Sequence, residues 1–153
     1  TSVGIYGAEG TGPYCAAKAA ALGIMRCLFS EGVQHGILVN VIGPSANTRM
    51  TEEHLKGAYG EWLRKTMPPE KISVGAAYLM SEDCKVTGEI FTLGGGRVGR
   101  MLFAETDGIM GKGDSIEEVR DMMPRVMDDT NMFYPKELSE RSARVAKLFG
   151  FSG

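Results

Sequence analysis

Tyr14 and Lys18 stand four residues apart in Tyr14-Cys15-Ala16-Ala17-Lys18, so on a helix they share one face. A phenol ordinarily titrates at about 10, and a cation one turn away favours its ionised form, which suits such a pair to moving a proton on and off an oxygen. The same ammonium can donate hydrogen bonds to a sugar hydroxyl. Taken alone the spacing is ordinary, because many surface helices carry such a pair fully solvated. Its surroundings are less ordinary. A glycine-rich segment, residues 1–13, runs into the tyrosine, and Ala16, Ala17, Ala19 and Ala20 crowd the lysine. About twenty residues further on, an apolar run ends in Asn40-Val41-Ile42-Gly43-Pro44.

The elements that must hold these residues are readable from pattern. Residues 1–13 read as a loop, because glycine and proline punctuate them throughout. A long helix is predicted from Tyr14 to about Gly32, rich in alanine and stopped by glycine, with Leu22, Met25 and Phe29 continuing the Tyr14–Lys18 stripe as a packing surface. Residues 37–42 form a β-branched apolar run expected to be a strand of a parallel sheet covered on both faces. A helix is expected from Thr51 to about Lys65 and another from Pro68-Pro69-Glu70 to Met80. A second strand is expected over Thr87–Leu93, closed by Gly94-Gly95-Gly96. This alternation implies an α/β fold with a parallel sheet, and two strands alone make a poor sheet.

The stretch from Arg97 onward differs in kind. Ser115 and Glu118 have the spacing of a capping box, and Val119, Met122, Met123, Val126 and Met127 line one face of the helix it opens. A last helix is expected from Pro135 to about Phe149, with Leu138, Val145, Leu148 and Phe149 as its apolar positions. Methionine at helical spacing is ordinarily core, and an adaptable acyl-binding groove is the sharper alternative.

Composition excludes several classes. With 43% hydrophobic residues in 153, a real core is affordable. The formal net charge of -2 leaves no broad cationic surface for nucleic acid or an anionic membrane. No apolar run is long enough to span a bilayer. Cys15, Cys27 and Cys84 have no metal-ligand spacing, so no metal site is expected, and their odd number suits a reducing compartment. With no leader or peroxisomal Ser-Lys-Leu address in view, the expected location is the cytoplasm.

Taken in order, Tyr14 and Lys18, Asn40-Val41-Ile42-Gly43-Pro44 with Thr48, and Thr87-Gly88 through Gly95-Gly96 resemble the short-chain dehydrogenase/reductase family over roughly residues 1–100. The resemblance implies the C-terminal part of a Rossmann-like doubly wound parallel sheet, residues 1–100, followed by a helical extension, residues 101–153. It implies NAD or NADP as cofactor, with Tyr14 as the proton donor or acceptor and Lys18 holding the nicotinamide ribose. Pro44, Ser45, Ala46 and Thr48 would wrap the nicotinamide end. The family's carbonyl-orienting serine stands thirteen residues before the tyrosine; here that position is Thr1, with Ser2 one residue nearer. Asn40 has a plain structural reading as a hydrogen-bonded residue within its strand.

No Gly-x-x-x-Gly-x-Gly turn follows a strand in these residues, so the pyrophosphate cradle and the family's asparagine are expected from residues outside them. Gly4-Ile5-Tyr6-Gly7, the Pro44–Thr51 loop and the run from Ile90 to Thr106 are similar to (3R)-hydroxyacyl-CoA dehydrogenases. That likeness implies a secondary alcohol or ketone substrate, including acyl-CoA, for which Arg97, Arg100 and Lys112 are candidate phosphate partners or simply solvated cations. Family members commonly pair through the long helix and the last strand, which implies a homo-oligomer. The rival reading is a catalytically inactive fragment serving as an oligomerisation or scaffold module.

Overall fold

The computed structural model describes residues 2–151, apart from the side chain of His54, and divides into two compact units that meet in sequence at Met101 and Leu102.

The first unit runs α1 (Val3–Tyr6), α2 (Gly12–Gly32), a 3-10 turn (Val33–His35), β1 (Val41–Pro44), α3 (Arg49–His54), α4 (Gly57–Thr66), α5 (Glu70–Leu79), β2 (Ile90–Gly94) and β3 (Arg97–Met101). Alanine and an early Pro13 favour α2, where proline's missing N–H costs nothing in the first turn. Leu22, Met25 and Phe29 recur on one face of α2 and close over Ile90, with Ile5, Val39, Val41 and Met101 around them. Each such burial is worth about 2 kcal/mol, so this face fixes α2 against the sheet.

The sheet is mixed, in the order β1-β2-β3. β1 and β2 are parallel, as the alternation implies, but β2 turns back antiparallel into β3, a strand absent from the sequence expectation. Gly95 and Gly96 make the two-residue turn, both with positive φ, 60° and 90°. That is the primed geometry that matches strand twist and which glycine adopts without strain. Glu89, just before β2, accepts from Arg100 of β3 through both carboxylate oxygens, at 2.6 and 3.0 Å, and ties the hairpin's open end.

β1 is shorter and later than residues 37–42. Ile37 and Leu38 are exposed, and the next two residues are held by one backbone bond, from Gly88 N–H to Val39 O at 2.8 Å, and otherwise by side chains. Val39 N–H donates to the Thr87 hydroxyl at 2.9 Å, and the Asn40 amide donates to Val86 O at 2.8 Å while its own oxygen accepts from Glu89 N–H at 3.1 Å. Ladder pairing therefore begins only at Val41, opposite Ile90. β2 shifts in the same direction, to Ile90–Gly94 rather than Thr87–Leu93.

Three helix boundaries also differ. Residues 1–13 are not loop throughout, since α1 forms within them. The helix expected over 51–65 is two, broken at Leu55 and Lys56 and restarted at Gly57 with φ of 69°. α3 starts early, at Arg49, because Thr48 and Thr51 form a reciprocal cap.

The second unit holds a two-stranded antiparallel ribbon, β4 (Glu105–Thr106) and β5 (Met132–Phe133), with α6 (Ile116–Val126) and α7 (Leu138–Leu148). Ser115 caps α6 by accepting from Glu118 N–H at 3.1 Å. The reciprocal half of the expected box is absent: the Glu118 carboxylate instead gathers the N–H groups of Lys112, Gly113 and Asp114. α7 starts at Leu138 rather than Pro135, capped by Glu137 and Glu140. Neither helix has a fully buried residue among those described, and of the methionine stripe Met122 and Val126 are half-buried while Met123 and Met127 face solvent.

Charge pairs do the joining here. Arg141 donates to both oxygens of Glu105, and Arg144 to both of Asp107 while lying 4.5 Å from the Phe133 ring centroid. These guanidinium hydrogen bonds hold the Glu105 and Asp107 carboxyls below their usual range. No helix among the described residues is long and apolar enough to cross a membrane.

Candidate active site

Two contacts orient α2. Arg26 donates to Gly88 O at 2.9 Å, and the Phe29 ring leaves no room for a Cβ on Gly88. The C-terminal half of α2 thus lies where β2 begins, which directs its first turns toward the ends of the parallel strands. In α/β sheets ligands bind beyond those carboxyl ends.

Tyr14 lies in the first turn of α2, half exposed, with Lys18 exposed one turn later. The Lys18 ammonium sits over the phenol ring, 5.3 Å from its centroid, a cation–π contact. Among the described residues neither the Tyr14 hydroxyl nor the Lys18 ammonium has a hydrogen-bond partner, so both are available to a bound molecule.

α1 supports this turn by close approach. A Cβ on Gly4 would lie 2.5 Å from Ala19 N and 2.8 Å from the Lys18 carbonyl carbon, so only glycine lets the backbones meet there. Thr1, one of the two candidates for orienting a carbonyl, lies outside the described residues. Ser2 precedes α1, and its side chain makes no capping bond.

The loop after β1 is mounted firmly over the strand ends. Ser45 N–H donates to Leu93 O at 2.8 Å and Asn47 N–H to Met67 O at 2.7 Å. The Asn47 amide donates to Glu52 at 2.7 Å, a brace absent from the sequence expectation although asparagine just before a helix is its sign. A Cβ on Gly94 would meet Ser45 O at 2.7 Å, so β2 and this loop are in direct backbone contact. Pro44 and Ser45 are exposed and Ala46 is half-buried. The Thr48 N–H donates to the Thr51 hydroxyl at 2.6 Å, and the Thr48 hydroxyl faces Thr51 N–H at 3.4 Å, so this residue is first of all the start of α3.

The phenol, the ammonium, Pro44 and Ser45 are thus all exposed, while the Ser45 backbone is tied to Leu93. Among the described residues no glycine-rich strand-to-helix turn offers N–H groups to a pyrophosphate.

Residues 1–58 match the short chain dehydrogenase family model. Over these residues the chain is similar to the short-chain dehydrogenase/reductase family. It is 32% identical over 149 residues to peroxisomal multifunctional enzyme type 2 of Mus musculus, covering 95% of this chain and 20% of the mouse protein. A 3-oxoacyl-[acyl-carrier-protein] reductase of Chlamydia muridarum is 33% identical over 101 residues, 61% of this chain and 41% of that protein. In three dimensions the chain matches full-length peroxisomal multifunctional enzyme type 2 from Drosophila melanogaster with a TM-score of 0.83 and 25% identity, over 97% of this chain and 27% of that one. The chain therefore spans less than half the length of these relatives. The fold is that of the family's Rossmann-like members, seen here in part.

Proposed function

We propose that this chain carries the acid/base end of a nicotinamide-dependent oxidoreductase that interconverts a secondary alcohol and a ketone. The Tyr14–Lys18 pair carries the reading, since both groups are exposed and unpartnered at the end of α2 that leads toward the carboxyl edge of the parallel strands. In reduction the Tyr14 hydroxyl gives its proton to the substrate oxygen, and in oxidation the phenol oxygen takes it back. Lys18, over the ring, stabilises negative charge as it develops on that phenol and donates to ribose hydroxyls. Pro44, Ser45 and Ala46 border the nicotinamide, and Thr48 seats the loop by opening α3. NAD or NADP, when bound, exchanges the hydride. A 3-oxoacyl or 3-hydroxyacyl thioester is the proposed substrate, supported by the relative named as a 3-oxoacyl-[acyl-carrier-protein] reductase.

A second reading, self-association without catalysis, is favoured by the outward face of α2, where Ile24 and Leu28 are 59% and 48% exposed on a helix apolar around most of its circumference. Pairing of two copies across that face is the proposed oligomer in either case. Titrating NADH, by nicotinamide fluorescence, into a protein in which these residues follow a dinucleotide-binding half from the family separates the two. The catalytic reading expects saturable binding weakened about tenfold in Lys18→Ala, the loss of one charge-assisted contact. No saturation, with self-association that disappears in Ile24→Glu, would leave only the second.

A further inference from the structure

Cys15 follows Tyr14 in α2, and its thiol shares with Thr11 a hydrogen bond whose direction follows from a count of hydrogens. The Thr11 hydroxyl donates to Ala8 O at 2.7 Å. Its oxygen also lies 3.1 Å from Cys15 Sγ. A hydroxyl has one hydrogen to give and two lone pairs with which to accept. Ala8 O is a carbonyl and can only accept, so it takes that hydrogen. The Cys15 thiol is therefore the donor to Thr11, and the bonds run from Cys15 S–H to the Thr11 hydroxyl to Ala8 O.

This arrangement replaces an ordinary helix cap. Thr11 is the residue before α2, at φ -115° and ψ 24°, and its side chain makes no capping bond to the helix backbone. Threonine in that place commonly turns its oxygen to an N–H of the first turn. Here the oxygen serves the thiol instead, in a partly buried contact where a weak donor counts for more than it would in water. The backbone runs alongside. Cys15 N–H donates to Thr11 O at 2.8 Å and Thr11 N–H to Ala8 O at 3.2 Å. Gly10, at φ 73°, lets the chain turn between Ala8 and Thr11. The turn that follows α1 and the first turn of α2 are thus fastened together by two backbone and two side-chain bonds, with Tyr14 inside the fastened segment. The Tyr14 hydroxyl has no hydrogen-bond partner of its own among the described residues, so the aim of the phenol depends on the backbone that carries it.

We infer that Thr11 and Cys15 are positioning residues for Tyr14, the bonds from thiol to hydroxyl to carbonyl holding the first turn of α2 at the angle from which the phenol meets the substrate oxygen. The inference rests on the catalytic reading of Tyr14. Both residues act through the Tyr14 backbone, since small displacements of a reacting group cost rate steeply.

Two measurements test this together: the infrared S–H stretch of the full chain, and 3-oxoacyl thioester reduction by the protein in which it follows a dinucleotide-binding half. The Cys15 band, identified by its loss in Cys15→Ala, should move to higher frequency in Thr11→Val, where the thiol has lost its acceptor, and stay in place in Thr11→Ser. The kcat should fall about tenfold in Thr11→Val with the KM for NADH unchanged, and Thr11→Ser should keep the parent rate. A Cys15 band that Thr11→Val leaves in place would overturn the proposal alone, as would a Thr11→Val enzyme as fast as the parent when Tyr14→Phe is slow. Turnover that Tyr14→Phe leaves unchanged would overturn the catalytic reading, and this proposal with it.

Discussion

Tyr14 and Lys18 were legible because their relation is local: four residues on one helix determine a shared face whatever surrounds it. Asn40 was legible only as a type. An amide in an apolar run must find partners, but which ones, Val86 O and Glu89 N–H, depends on residues more than forty positions away. Replacing it with alanine removes two bridges that hold residues 39–40 against the segment before β2. Asn40→Ala should lower stability by about 1–2 kcal/mol, read as a fall in the urea midpoint with NADH binding in the folded protein unchanged. A loss of binding at unchanged stability would instead place Asn40 in the active site. Thr48, expected at the cofactor, also opens α3 as its cap, a role that depends on the Thr51 hydroxyl three residues on.

At the scale of elements, α2 was readable along nearly its whole length from alanine content and apolar spacing, whereas the strands were readable only as regions. Hydrophobicity located residues 37–42 and 87–93, but pairing starts where neighbouring backbones first meet in register, which shifted both later. β3 was missed because Arg97-Val98-Gly99-Arg100-Met101 carries two arginines in five residues and is broken by glycine, even though the Gly95-Gly96 turn before it is a hairpin signal. Replacing Gly95 or Gly96 with alanine should cost about 1 kcal/mol each, because φ is positive at both. Arg100→Met should cost about 2 kcal/mol, since it leaves the buried Glu89 carboxylate without its guanidinium. Gly4→Ala should act elsewhere: its Cβ would drive α1 off the Lys18–Ala19 backbone, costing about 1–3 kcal/mol and disturbing the Tyr14 turn. Thermal melts rank the four, and unaltered nicotinamide fluorescence in Gly4→Ala would show that α1 does not support the site.

The molecule as a whole is held together by different means in its two units. Residues through Met101 have an apolar core, while those from Leu102 rest on caps and charge pairs, a contrast hidden from the sequence because Met122, Met123 and Met127 read as core. The pairing has a pH consequence. Glu105, Asp107, Glu118 and Asp128 are all held below their ordinary carboxylate range by hydrogen bonds in the folded state. Their stabilisation is therefore present above the unfolded carboxylate values of about 4 and is lost as pH falls through the lower folded ones. Amide signals of residues 102–151 should disappear on acidification before those of the first unit, and Arg141→Gln with Arg144→Gln should flatten that dependence. Simultaneous loss of both units at the same pH would contradict it.

Catalysis by Tyr14 is the central claim, and the most direct test is the rate of 3-oxoacyl thioester reduction at saturating NADH, measured in a protein where these 153 residues follow a dinucleotide-binding half from the family. The account predicts turnover that falls about 100-fold or more in Tyr14→Phe, the usual contribution of a positioned general acid, with NADH affinity little changed. A Phe variant that reduces the thioester as fast as the parent would contradict it.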